Sequence, residues 1–155
     1  MIVVEGNADW LLVKTMGFAK KIIHQADCKG NVFKKVRISA KAVGIVDEDP
    51  HSEQPGELKQ YGVIKKKGTL KLMAKKNDNA RFLIQISPDF EDWILKRAKK
   101  NKINPGDFSL PNTPRELHRL TRIKNNKKFI DFLTKVIACD DEIKAMNEWI
   151  KDALK

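Results

Sequence analysis

Glu5, Asp47 and Asp49 are the residues of this sequence whose types and placing could do chemistry. Each stands at the end of a short apolar run, Glu5 after Ile2, Val3 and Val4, and the two aspartates after residues 42–46 in the stretch GIVDEDPHS. Residues i and i+2 of an extended segment point the same way, so Asp47 and Asp49 are expected to face together while Glu48 faces away. Asp9 falls in the first turn of the helix expected just after Glu5. It suits either the positive end of that helix or the same acidic group. Carboxylates repel one another, and a hard divalent cation is the usual remedy. Mg2+ or Mn2+ takes oxygen ligands and commonly links one or two carboxylates to a phosphate.

These acids work together only if the elements that carry them are neighbours. An open α/β sheet binds ligands at the carboxyl ends of its strands, and both acid groups sit at such ends. Residues 2–4 and 42–46 read as buried strands. Between them, Asn7 is placed to cap a helix carrying Leu12, Met16, Ala19 and Ile23, with Gly30 expected to end it. Residues 31–39 suit either a short helix or a strand. Residues 50–68 have the composition of a loop, with two prolines and three glycines. Residues 69–73 and 81–86 are apolar, and KKNDNA between them has turn chemistry. In SPDFEDWILKRAKK, Ser87 is expected to cap a helix and Pro88 to open it. Asp89, Glu91 and Asp92 then lie in its favourable first turn. TPRE at residues 113–116 reads as a capping box. A helix around Phe129, Leu133 and Val136 precedes a last one that starts at Asp140, with Ile143, Met146, Ile150 and Leu154 on one face. Trp10, Trp93 and Trp149 fall in helical patterns and are expected in the core.

The chain has 155 residues, enough for one domain with a real core. Its net charge of +11 favours anionic partners, and nucleic acid is the commonest of these for a small cytoplasmic protein. The acids near the first strands form a negative island in that positive field. No apolar run reaches the roughly 18–20 residues of a membrane helix, so no membrane association is expected. The start has no signal-peptide pattern. Cys28 and Cys139 have no CxxC neighbourhood, and two unpaired thiols are expected. His24, His51 and His118 have no zinc spacing, which leaves any metal to oxygen ligands.

IVVEGNAD, followed further along by GIVDEDP, resembles the Toprim domain. That domain is shared by topoisomerases, primases, ribosomal-RNA maturases and the nucleases of the overcoming-lysogenization-defect family. Its motifs are a glutamate-glycine after the first strand and a DxD after a later one. The resemblance implies an α/β, Rossmann-like and mostly parallel sheet flanked by helices over residues 1–105, with residues 106–155 a helical C-terminal extension packed on it. It implies Mg2+ or Mn2+ held by Glu5, Asp47 and Asp49, and phosphodiester chemistry. In the overcoming-lysogenization-defect branch an acid follows the glutamate by four residues, as Asp9 does here, and acids after a later strand take part. Asp89 and Glu91 are the candidates for that role. The short segment before the DxD leaves the domain's usual second strand reduced or missing.

A topoisomerase needs a nucleophilic tyrosine on a separate domain, and Tyr61 is the chain's one tyrosine. A primase needs more apparatus than this length holds. Hydrolysis of DNA or RNA by a metal-activated water needs least. Glu5 would then act as ligand or general base, and Lys65, Lys66 and Lys67 would contact phosphates. The competing readings are a metal- and nucleic-acid-binding module without turnover, a subunit serving a partner protein, and a homodimer formed through the C-terminal helices.

Overall fold

Short β-branched runs make the buried strands, and amphipathic stretches between and after them make the helices. The computed structural model describes residues 1–155. In chain order it contains β1 (Ile2–Val4), α1 (Asn7–Thr15), β2 (Ile23–Gln25), α2 (Lys29–Ile38), β3 (Ala42–Asp47) and β4 (Tyr61–Lys67). There follow β5 (Leu70–Lys75), β6 (Arg81–Ile86), α3 (Phe90–Lys100), α4 (Pro114–Thr121), α5 (Lys127–Ile137) and α6 (Asp141–Leu154). The fold is α/β, with one six-stranded sheet in the order β2-β1-β3-β6-β5-β4. The first four strands run parallel, and β5 and β4 continue the sheet antiparallel.

Alternation along each strand sorts side chains between two layers. Ile2, Val4, Val43, Ile45, Ile84 and Ile86 enter the larger core, where α1, α3, α5 and α6 pack. Val3, Ala42, Val46 and Leu83 face the smaller one with Val32, Phe33 and Val36 of α2. Gly44 lies on that second face, where an added Cβ would come within 2.8 Å of both Val32 and Leu83. Gly44→Ala is therefore expected to lower stability by about 1–3 kcal/mol through overpacking, read as an earlier urea midpoint at unchanged slope.

Several local expectations are corrected. α1 ends at Thr15 and turns at Gly17, whose φ of +101° only glycine adopts readily; Gly30 lies inside α2. Gly6, not Asn7, is the N-cap of α1. Two expectations hold instead: residues 31–39 take the helical alternative, as most of α2, and the second strand is reduced to the three-residue β2. Asp89, not Ser87, caps α3, and Pro88 lies before the helix in a cis peptide. The expected loop at residues 50–68 is a loop only in its first part. After a 3-10 turn at Gly56–Gln60 it becomes β4, an edge strand in which Tyr61 alone is buried. Lysines blunt such edges against pairing with other chains, and that composition is what made it read as a loop.

The C-terminal helices share the larger core with the sheet. Leu117, Phe129, Phe132, Val136, Ile143, Met146 and Ile150 are each at most 1 % exposed. The apolar face of α6, which suggested a dimer, is thus covered by the protein's own sheet and helices. Trp93 and Trp149 are buried and Trp10 partly so. Both cysteines are free and exposed. No helix is long and apolar enough to cross a membrane.

Candidate functional site

β1 and β3 are adjacent and parallel, so their carboxyl ends place Glu5 beside Asp47. The Asp47 N–H donates to Glu5 Oε2 at 3.3 Å. Asp9 comes in from α1. Its Oδ2 accepts from the Gly6 N–H at 3.0 Å, which is the capping role, while its Oδ1 is buried without a partner. Asp47 Oδ1 is likewise buried and unpartnered. Glu91, from the first turn of α3, is 8 % exposed and completes the group.

Asp49 does not stay in the extended line of β3. It adopts φ of +47°, and its carboxylate pairs with Lys29 Nζ at 3.1 Å. The i, i+2 alignment expected with Asp47 therefore fails at the last residue, although both side chains border one cleft. Glu48 turns to Lys71, at 3.8 Å. Asp89 is held as the cap of α3, with its Oδ1 accepting from the Asp92 N–H at 2.9 Å, and it borders the same cleft.

Two adjoining clefts open over these acids. One, of about 340 Å³, is lined among others by Glu5, Asp9, Asp47, Glu91, His118 and Arg122. The other, of about 310 Å³, takes Asp47, Asp49, Asp89, Glu91, Arg115 and His118. Larger hollows lie elsewhere and hold none of Glu5, Asp9, Asp47 and Glu91.

The electrostatics follow from this crowding. Burial, then the neighbouring acids, push the Asp47 carboxyl up to about 9. Burial pushes Asp9 up to about 8 against the pull of the Gly6 N–H, with Glu5 and Glu91 adding to the rise. Burial also raises Glu5, opposed by the Asp47 N–H and by Lys29. Asp9 and Asp47 therefore keep protons near neutrality and do not both ionise unless a cation joins them. Buried oxygens without donors, supplied only by carboxylates, fit a hard cation. No three His, Cys, Asp or Glu side chains yet stand close enough to ligate one, so ligation requires the acids to turn inward.

Lys65, Lys66 and Lys67 are not brought to the acids. They lie at the same end of the sheet but on β4, three strand spacings from β3, which is about 14 Å. There they line a separate groove with Lys144, and Lys67 pairs with Asp141 at 3.6 Å.

Other site residues lie outside the sequence motifs. His118 of α4 donates from Nδ1 to Glu91 Oε1 at 2.9 Å and accepts at Nε2 from Arg122 at 3.1 Å. The Thr121 hydroxyl donates to Glu91 at 3.2 Å. Asn7 donates to the Thr121 carbonyl at 2.6 Å, tying the start of α1 to the end of α4. Lys29 stands at the start of α2 beside Glu5 and Asp49. TPRE marks the start of α4, and the i, i+3, i+7 spacing of Arg115, His118 and Arg122 in TPRELHRLTR is the local signal for its cleft-side face. Comparison with protein-family models, curated proteins and solved structures finds no match for this chain.

Proposed function

We propose that this chain is a small Toprim-like protein that hydrolyses phosphodiester bonds of nucleic acid, DNA or RNA, with Mg2+ or Mn2+ as cofactor. The observation that carries the reading is the pair of buried, unpartnered oxygens, Asp9 Oδ1 and Asp47 Oδ1, beside Glu5 at adjacent strand ends of a chain of net charge +11. Glu5, Asp9 and Asp47 would hold the cation, with Asp49 available once it leaves Lys29. Such a cation supplies Lewis-acid polarisation of a phosphoryl oxygen and neutralises charge that develops as the bond breaks.

The chain's own groups supply the rest. Where Asp9 and Asp47 hold the cation without it, Glu5, raised by burial and fixed by the Asp47 N–H, would instead take the proton of an attacking water. His118 and Thr121 hold Glu91 toward the cleft. Lys29 sets a fixed positive charge at its rim. Two exposed free thiols agree with a reducing, cytoplasmic setting.

The Lys29–Asp49 ion pair favours a second reading, because it already neutralises part of the acid group without a metal. In that reading the protein binds nucleic acid, or serves a larger complex, without turnover. One experiment separates the two. Purified protein is incubated with supercoiled plasmid, single-stranded DNA and RNA, in Mn2+ or in EDTA, beside Glu5→Gln and Asp47→Asn. The expected result is nicking that needs metal and is lost in both variants. Metal-dependent nicking that survives both substitutions sinks the site. Manganese uptake with no cleavage of any substrate favours the binding module.

A further inference from the structure

α4 carries Arg115, His118 and Arg122 on one face, and that face borders both acidic clefts. The helix is pinned to the site on its buried side. Asn7 holds its last carbonyl, and Glu91 accepts from both His118 and Thr121. Its two cleft-side guanidinium groups are nevertheless unpaired. The only side-chain hydrogen bond of Arg122 goes to His118 Nε2, and Arg115 makes none.

Other cations of this protein that meet acids form close ion pairs, as Lys29 does with Asp49 and Arg97 with Asp140. Arg115 and Arg122 border a whole group of acids and pair with none. The geometry holds them exposed at the cleft's edge, with the carboxylates opposite.

A guanidinium offers a planar fork of donors that matches phosphate oxygens. Seven helical residues separate the two arginines by about 10 Å along the axis. A strand lying across the cleft could meet both groups through neighbouring phosphates. We propose that α4 is the strand-holding helix of the site, with Arg115 and Arg122 gripping phosphates of a polynucleotide strand that crosses the acidic clefts. This rests on the reading of the acids as a phosphodiester-cleaving centre, and it gives the C-terminal extension a direct part in binding.

The test measures two bindings in parallel on the full chain. Fluorescence anisotropy of a labelled single-stranded oligonucleotide is followed in Ca2+ over a salt series, and Mn2+ binding is followed by calorimetry. Arg115→Ala and Arg122→Ala are each expected to weaken oligonucleotide binding about tenfold and to flatten the logarithmic salt slope by about one. Both should keep the wild-type melting temperature and Mn2+ affinity. Arg119→Ala, on the same helix but outside both clefts, should leave the slope unchanged. Wild-type binding in both arginine variants, or an equal loss in Arg119→Ala, overturns the proposal. A wild-type chain that binds Mn2+ but no oligonucleotide overturns it together with the nucleic-acid reading. Strand binding through the two arginines by a chain that takes up no Mn2+ upholds it and removes the metal reading.

Discussion

Asp47→Asn is expected to stabilise the metal-free protein while lowering metal-dependent cleavage by at least about a hundredfold, the scale on which even residues behind a metal's ligands act. The two effects share one cause. The Asp47 carboxyl titrates near 3.8 in the unfolded chain and near 9 in the folded one. Between those values the folded state keeps a proton that the unfolded state has released. Stability from this group is therefore full at acid pH and is lost as pH rises through the window. An asparagine carries no charge there and can donate to its carboxylate neighbours. At mildly alkaline pH without metal the gain should be at least about 3 kcal/mol, the cost of holding that proton after the unfolded carboxyl has released its own.

On the proposed metal reading the wild-type protein should recover that loss when a cation binds, since occupancy at about a hundred times Kd adds about 2.7 kcal/mol. Cation affinity should itself rise with pH, because protons leave Asp9 and Asp47 as it binds. Thermal unfolding at acid and alkaline pH, in EDTA or in Mn2+, reads all of this. A variant with the same pH slope and the same Mn2+ shift as wild type would show that Asp47 is not at the centre of the site.

Arg97→Ala should be the most damaging substitution away from the acids, at about 3–5 kcal/mol. Arg97 is 8 % exposed and reaches Asp140, Asp141 and Glu142 at 2.8, 2.7 and 3.0 Å. The side chain of Asp140 is fully buried and also caps α6 by accepting from the Ile143 N–H at 2.9 Å. Glu142 accepts from Trp93 Nε1 at 2.7 Å and from the Thr69 N–H at 3.3 Å, so α3, α6 and the β4–β5 turn meet on one carboxylate. Removing the arginine leaves two buried carboxylates without their cation. A domain stable by some 5–15 kcal/mol would lose a large share of that. Adding Asp140→Asn and Glu142→Gln to Arg97→Ala should return part of it, a coupling that a mutant cycle in urea reads directly. A cost under about 1 kcal/mol for Arg97→Ala would mean that the network contributes little. The site has a stake in the result, because α3 carries Glu91 in its first turn and Arg97 two turns on.

The legible parts of this protein were those that depend on near neighbours in sequence. Residues 2–4 and 42–46 announce themselves as buried strands because both their faces are apolar. Glu5 and Asp47 follow because a polar group can only begin where the burial ends. The Asp140 cap and the start of α4 at Pro114 are readable for the same local reason. Thr113, the N-cap of α4, makes no side-chain hydrogen bond, however, and the expected capping box does not form. β4 was not, because an edge strand needs only one buried residue, Tyr61, and its lysines look like a loop. The direction of Asp49 is not legible in the sequence, because the left-handed turn that follows Asp47 breaks the two-residue period of the strand. Glu91 looked like one of three interchangeable first-turn acids until packing separated them. Asp89 became the cap, Asp92 paired with Lys96 at 2.7 Å, and Glu91 turned inward.

What the sequence determined by itself is therefore the acids at two strand ends, the α/β order of the elements and the positive charge around them. Those rest on burial patterns a few residues long. Only packing across the whole chain sets β1 beside β3, leaves Asp9 and Asp47 with buried oxygens without donors, and puts α4 at the edge of the clefts above them. Asn7 and Thr121 meet across 114 residues of chain. A contact of that kind is fixed by how helices and sheet fill one core, and no local pattern of residues encodes it.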